Sequence, residues 1–400
     1  MKKVVILGGG FAGITVGLTL SKNLNKHEAD ITLIDENTYH TFTPSLYEVA
    51  TSEESKKNIS IPFQSIFSNK INLIQAKITK IDVKIQKVIL AENQTVSWDY
   101  LIICLGSEIN YFSIPGLKEH SFPLNTLEDA VKIKIALNKI IPKKKQDAQL
   151  VKIIIGGGGF SGSELAAEIA NFRSNITTKD QQVSKLITVT ILEANSRLLS
   201  GLDPKISDLA QKRLKSFNVN IFTDCFIKEV KSDQLETADG QTHHFDIFIW
   251  TGGIKGNNVI EKSNLSTEKS ARIPINSFLQ MQGFNQIYAA GDCTLFIDPT
   301  TQKPIPQTGQ IAKDQGKIVA KNIAADILGD KPVEFKMKNY SYIIPLKGRY
   351  VIADLHFFKL TGFLGWVLQQ LVFLRYLLMI LPLSKALKKW NKFEQELNQE

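Results

Sequence analysis

Gly8-Gly9-Gly10-Phe11-Ala12-Gly13 and Gly157-Gly158-Gly159-Phe160-Ser161-Gly162 share the spacing G-x-G-x-x-G. A turn of this composition brings backbone N–H groups close to an anion at a helix N-terminus, which suits the pyrophosphate of a dinucleotide. One such pattern is weak evidence, but two, each between an apolar run and a helix-like run, predict two dinucleotide sites. A chain that holds two dinucleotides is built to move electrons between them. Each pattern is followed by a carboxylate. Asp35 lies 22 positions after Gly13, near the ~20 expected of a ribose-binding acid. Glu193 lies 31 positions after Gly162, and a polar insertion over residues 173–185 is expected to absorb the excess. A carboxylate at Glu193 accepts from a ribose 2′-OH and repels a 2′-phosphate, which favours NADH over NADPH, although Arg197 nearby opposes that preference.

A third motif separates flavin from a second nicotinamide. Ile287-Tyr288-Ala289-Ala290-Gly291-Asp292 delivers a carboxylate at the end of a short apolar strand, where open α/β sheets hold ligands. Asp292 is placed to accept from a flavin polyol; the alternative is a helix cap. A helix expected from about Gln310 to Ile327 would point its positive end at the flavin pyrimidine. Glu164, expected in the first turn of a helix, is the candidate proton relay; the alternatives are a charge complementing the helix terminus or a nicotinamide contact.

These residues need strands and helices to position them. Lys3-Val4-Val5-Ile6-Leu7 and Val151-Lys152-Ile153-Ile154-Ile155 read as strands buried on both faces, so the fold class is α/β. Alternating stretches between Asn58 and Trp98 predict an antiparallel insertion, and Lys143-Lys144-Lys145 an exposed loop. The 400 residues, 43% hydrophobic, suffice for two globular domains and an appendage. Cys104, Cys225 and Cys293 are too few and too scattered for a disulfide framework or metal cluster, and suit a reducing compartment. The Met1-Lys2-Lys3 start mimics a signal peptide, but the run continues into a complete glycine motif, so secretion is not expected.

The net charge of +9 includes Lys385, Lys388, Lys389 and Lys392, which follow the most apolar stretch, Leu360 to Leu383. That stretch admits three readings: a core or dimer helix, a spanning helix, or a segment in the membrane interface. The 15 uncharged residues between Lys359 and Arg375 fall short of the ~18 that a span requires. Aromatic residues and trailing lysines favour an interfacial anchor over residues 355–392 on an anionic leaflet.

The whole chain resembles the type II NADH dehydrogenases. The resemblance is carried by Asn37-Thr38-Tyr39-His40-Thr41-Phe42-Thr43-Pro44 with Leu46-Tyr47-Glu48-Val49-Ala50, by Glu164-Leu165-Ala166-Ala167-Glu168, by Trp250-Thr251-Gly252-Gly253-Ile254, and by Gln310-Ile311-Ala312-Lys313-Asp314-Gln315-Gly316. It implies two Rossmann-like domains, for FAD over residues 1–115 and 275–335 and for NADH over 116–274 nested within it, with a membrane-associating helical region over 336–400. The implied activity is non-proton-pumping: hydride from NADH to FAD, then two electrons to a membrane quinone, at the cytoplasmic side of the cell membrane, with residues 336–400 also forming part of a homodimer surface. The resemblance implies FAD contacts at Gly8, Gly10, Phe11, Ala12, Gly13, Asp35, His40, Ile78, Gly106, Asp292, Gln310 and Ala312. NADH contacts would come from Gly157, Gly159, Phe160, Gly162, Glu164, Glu193, Gly252 and Gly253, with Trp250 to Ile254 lining the nicotinamide side. Glu164 and Gln310 would be catalytic, and quinone would meet Gln310, Asp314 and Gln315.

The quinone motif departs from the usual A-Q-x-A-x-Q-Q-G at Gly309 and Asp314. Rival readings are disulfide reductases, which need a C-x-x-x-x-C pair that is missing; sulfide:quinone oxidoreductases, which need cysteines near the flavin, where only Cys293 is a reactive candidate; a soluble-partner reductase without the tail; and a non-catalytic NADH-responsive flavoprotein.

Overall fold

In the computed structural model, which describes residues 1–51, 56–67, 69–147, 149–177 and 187–397, the chain divides into two units. One comprises Met1–Thr41, Ser60–Glu108 and Ile254–Asn339; the other comprises Phe42–Ile59, Ile109–Gly253 and Tyr340–Glu400.

The first unit is built on a parallel sheet in the order Ile287–Ala289, Tyr100–Ile103, Lys2–Leu7, Ala29–Asp35, Asn72–Gln75. The central strand is continuous Val4 to Leu7 in the core, none more than 2% exposed, as a strand covered by helices on both faces must be. The chain leaves that strand in one direction toward Ala29–Asp35 and later fills the other side with Tyr100–Ile103. This reversal opens a crevice at the strand's carboxyl end, where Gly8 to Gly10 lie. Helices Phe11–Asn23 and Gly309–Leu328 pack together, close enough that a Cβ on Gly316 would sit 2.6 Å from the Ala12 carbonyl oxygen. The expected Gln310–Ile327 helix is therefore present and one residue longer at each end. The antiparallel insertion is narrower than expected. Ile78–Asp82, Lys87–Leu90 and Thr95–Ser97 form it, while Asn72–Gln75 joins the parallel sheet.

The second unit repeats the plan in the order Phe122–Pro123, Ile247–Trp250, Val151–Gly156, Ile187–Leu192, Val219–Phe222, all parallel. Helix Phe160–Thr177 follows its glycine turn. Residues 173–177 of the expected insertion are thus helical, and residues 178–186 lie outside the described residues. The lysine run is not a loop. Lys143 to Lys145 end the helix Leu127–Gln146, and Lys144 pairs with Asp246 at 3.0 Å. One lysine of the run thus has a partner distant in sequence.

The chain then forms an antiparallel sheet of Tyr342–Pro345, Val351–Asp354 and Lys359–Gly362, a helix Phe363–Ile380, and after Pro382 a second helix Leu383–Leu397. The first of these helices is turned with Gln370 buried and Leu364, Leu371 and Leu378 exposed. Those leucines recur every seven residues and therefore share one face.

Candidate functional site

Each unit carries its own nucleotide cradle. In the first, Gly8 has φ +97°, and a Cβ there would lie 2.4 Å from the Cys104 carbonyl oxygen, so only glycine makes this turn. Gly10 has no other protein atom within 4 Å of where its Cβ would be. The space above it, at the start of the Phe11–Asn23 helix, is left to an anion. Asp35 Oδ2 accepts from Gly9 N at 2.7 Å, and Oδ1 accepts from Asn37 N at 2.7 Å. Burial nevertheless pushes the Asp35 carboxyl up, against those hydrogen bonds. His40 is buried beneath the turn, its Nδ1 3.0 Å from the Gly9 carbonyl oxygen and its ring edge-on to Phe11 at 5.1 Å. The Gly9 oxygen only accepts, so Nδ1 carries the proton. Burial lowers this imidazole to about 4, so it is neutral at physiological pH.

The Gly291-Asp292 end of the same unit opens into a small cavity lined by Asp292, Gln307, Thr308, Ile311, Ala312 and Gln315. Asp292 accepts from the Ser107 hydroxyl at 3.4 Å, and Gln307 Nε2 donates to the Asp292 carbonyl at 2.7 Å. Burial raises the Asp292 carboxyl, with Arg272 and Ser107 opposing. Asp292 does not cap the long helix; Thr308 does, accepting from Ile311 N. Gln315 is 1% exposed and its Oε1 accepts from Gly291 N at 2.7 Å. Its Nε2 finds no hydrogen-bond partner among the described residues. An orphaned buried amide costs about 1–3 kcal/mol, so the cavity calls for an acceptor. Gly10, the pinned Asp35 and this free donor fit a dinucleotide with hydrogen-bonding ring edges, as FAD has. Ile78 is buried at the start of its strand, and Gly106 stands in open space with φ +66°.

Both departures in the quinone motif have a local cause. A Cβ on Gly309 would stand 3.0 Å from the Phe11 ring, so the usual alanine there presses on a phenylalanine that this chain carries in its glycine motif. Asp314 in place of glutamine pairs with Lys338 Nζ at 2.8 Å. Gln310 and Asp314 are both partly exposed, one turn apart.

The second unit repeats the cradle. Gly157 has φ +104°, and its Cβ would meet Gly252 Cα at 2.6 Å, whereas the position above Gly159 is open. Glu193 Oε2 accepts from Gly158 N at 2.5 Å, and Oε1 accepts from Asn195 N at 2.7 Å. A cleft of about 200 Å³ runs past Gly159, Glu193, Asn195, Thr251, Gly252 and Gly253. Arg197 donates to the carbonyls of Ser200 and Leu202 at 3.2 and 3.3 Å. Trp250 does not line the cleft. It is 6% exposed in the apolar core, and its Nε1 donates to the Asn110 carbonyl at 2.9 Å. Phe160 stacks on Tyr342 with ring centroids 5.8 Å apart.

Glu164 begins the second turn of its helix, not the first, because the helix starts at Phe160. It is therefore past the reach of the helix terminus, and the charge-complement reading loses its basis. Part of its surface remains accessible, yet burial raises its carboxyl to about 8. Beside it the Tyr47 hydroxyl, itself buried, donates to Glu48 Oε1 at 3.0 Å and feels the charges of Glu48, Glu164 and Glu168. Tyr47 and Glu48 were visible in sequence only as part of a motif; their proximity to Glu164 comes from helix packing. Neither Cys293 nor Cys104 is poised for chemistry. Cys293 is fully buried, donates to the Ile103 carbonyl at 3.3 Å, and is pushed up to about 12, while Cys104 is buried in the core.

Residues 2–316 match the family model for pyridine nucleotide-disulphide oxidoreductases. Among curated proteins, the type II NADH:quinone oxidoreductase of Staphylococcus aureus is 30% identical over 352 residues, covering 84% of this chain and 85% of that protein. Among solved structures, NDH2 from Plasmodium falciparum in complex with NADH superimposes with a TM-score of 0.85 at 20% identity, covering 97% of this chain and 96% of that one. The sulfide:quinone oxidoreductase of Aquifex aeolicus reaches 0.77 at 20% identity, covering 95% and 91%.

Proposed function

The chain belongs to the pyridine nucleotide-disulphide oxidoreductase family, and within it to the type II NADH:quinone oxidoreductases; from that premise we propose how its own residues serve the reaction. It is an FAD-dependent NADH dehydrogenase with a quinone acceptor. FAD, when bound, supplies the chemistry, taking a hydride from NADH and giving two electrons to quinone. The residues hold, orient and handle protons.

In this reading Gly8 makes the turn, Gly10 admits the FAD pyrophosphate, Gly13 lets the helix pack closely, Phe11 and Ala12 begin the helix beneath the pyrophosphate, and Asp35 takes the ribose. His40, Ile78, Gly106 and Ala312 shape the site, and Asp292 accepts from the polyol. Gly157, Gly159, Phe160 and Gly162 cradle NADH, Glu193 takes its ribose, and Gly252 and Gly253 leave the nicotinamide room. The single observation that carries the assignment is the repetition of one cradle: an open glycine position beside a pinned carboxylate, once in each unit. Quinone reduction consumes two protons, and Glu164, protonated up to about pH 8, is the proposed relay. Gln310 and Asp314 are the proposed quinone contacts at the start of the Gly309–Leu328 helix.

The tail is read as a surface anchor. Eighteen residues of helix span about 27 Å, shorter than the ~30 Å hydrocarbon core. Phe357 is 98% exposed, and the leucine stripe faces outward while Lys385 and Lys388 stand exposed beyond it. Apolar side chains facing out with cations at their edge suit an anionic leaflet. Attachment to the cytoplasmic face, where NADH is available, completes the proposal.

The test is anaerobic reduction of the purified protein by NADH, followed by a short-chain quinone. Bleaching of the flavin band by NADH and rapid recovery with quinone is the expected result. Bleaching without recovery by any quinone overturns the acceptor assignment.

A further inference from the structure

We infer that the Gln315 carboxamide belongs to the flavin and not to the quinone: its Nε2 donates to the electron-rich carbonyl edge of FAD and helps set the cofactor's reduction potential. The inference rests on FAD occupying the first unit, as proposed above. The Gly309–Leu328 helix sorts its motif onto different faces. Thr308, Ile311, Ala312 and Gln315 recur at helical spacing and line the cavity beside Gly291 and Asp292. Asp314 is turned to Lys338 and is not among the residues of that cavity.

Two further facts specify what Gln315 does there. Its Oε1 is held by Gly291 N at 2.7 Å, which fixes the amide plane and leaves Nε2 as the free end. That Nε2 is buried and finds no partner among the described residues. A rigid, orphaned donor among the residues of that cavity suits a ligand that offers an acceptor and gains negative charge. Reduced flavin gains that charge on its pyrimidine side, so a donor there favours the reduced over the oxidised form.

The experiment is a dye-referenced dithionite titration of FAD-loaded wild type, Gln315→Met and Gln315→Glu, which needs neither NADH nor quinone, accompanied by steady-state kinetics that give the KM for quinone. Gln315→Met keeps the length and removes the donor. It is expected to retain FAD, to lose about tenfold in preference for reduced over oxidised FAD, which lowers the potential by about 30 mV, and to leave the KM for quinone unchanged. Gln315→Glu keeps the acceptor for Gly291 N and serves if the methionine variant does not fold; its potential is expected to fall further. Potentials equal to wild type in the variants that fold overturn the inference, and a raised quinone KM with an unchanged potential returns Gln315 to the quinone. A wild-type protein that takes up no flavin overturns the functional reading itself, a result distinct from either.

Discussion

Glu193 Oε2 accepts the backbone N–H of Gly158 at 2.5 Å, and Asp35 Oδ2 accepts that of Gly9 at 2.7 Å in the other unit. The shared relation joins the end of the second strand to the middle glycine of the turn, so the carboxylate is held before a ribose arrives. With NADH in that cradle, as proposed, a carboxylate at Glu193 would also select against a 2′-phosphate. Glu193→Gln is expected to raise the KM for NADH about tenfold, the scale of one charge-assisted hydrogen bond, and to lower that for NADPH. Steady-state kinetics with both nucleotides checks this; an unchanged ratio refutes it.

The open positions at Gly10 and Gly159 allow the two sites to be separated. A Cβ at either meets no protein atom within 4 Å, whereas one at Gly13 would stand 1.9 Å from the Gly8 carbonyl oxygen. Gly10→Val is expected to fold with a Tm near that of FAD-stripped wild type and to purify without FAD. Gly159→Val is expected to retain FAD and lose reduction by NADH. Gly13→Val is expected not to fold. Absorbance spectra and thermal melts of the three variants decide between these outcomes.

Glu164 gives a pH signature. Its carboxyl, raised from 4.5 to about 8, holds its proton below that value, so if it is the proposed relay, turnover with quinone is expected to fall as pH rises through about 8. Glu164→Gln should flatten the profile and cost about 10²-fold in turnover. The stability effect has a definite sign. The unfolded chain releases this proton near 4.5 and the native one near 8, so the native state loses stability as pH rises between them. Glu164→Gln should therefore be more stable than wild type at pH 9 and equal to it at pH 4, as read by urea denaturation.

His40 has the opposite dependence. An imidazole lowered from 6.5 to about 4 binds its proton in the unfolded chain before it does in the native one. Stability is fully present above about 6.5 and falls by roughly 3 kcal/mol as pH drops to about 4. Urea denaturation of wild type between pH 7 and pH 4 should show this slope, and His40→Gln should lose most of it.

The outward leucine stripe predicts membrane attachment by area and charge together. Leu364→Glu with Leu371→Glu should release the protein from anionic vesicles while NADH still bleaches the flavin. Co-sedimentation with vesicles of anionic and neutral lipid, at low and high salt, reads both contributions. Unchanged sedimentation of the double variant would refute the anchor.

The sequence by itself determined the two glycine turns, the strands that feed them, the carboxylates that follow and the break at Pro382. These are contiguous signals, set by backbone sterics and by apolar runs that suit strands buried on both faces. Asp35 and Glu193 were legible because the strand ending in each carboxylate lies next to the glycine-turn strand. Tertiary structure alone decided the rest. Lys144 meets Asp246, Trp250 turns inward to Asn110, and Arg197 donates to carbonyls. It also buried Cys293 beyond reactivity, raised Glu164 to about 8, and put Gln315 and Asp314, neighbours in sequence, in different surroundings. Each of these depends on desolvation or on a partner brought from far along the chain, and neither quantity is encoded in the spacing of nearby residues.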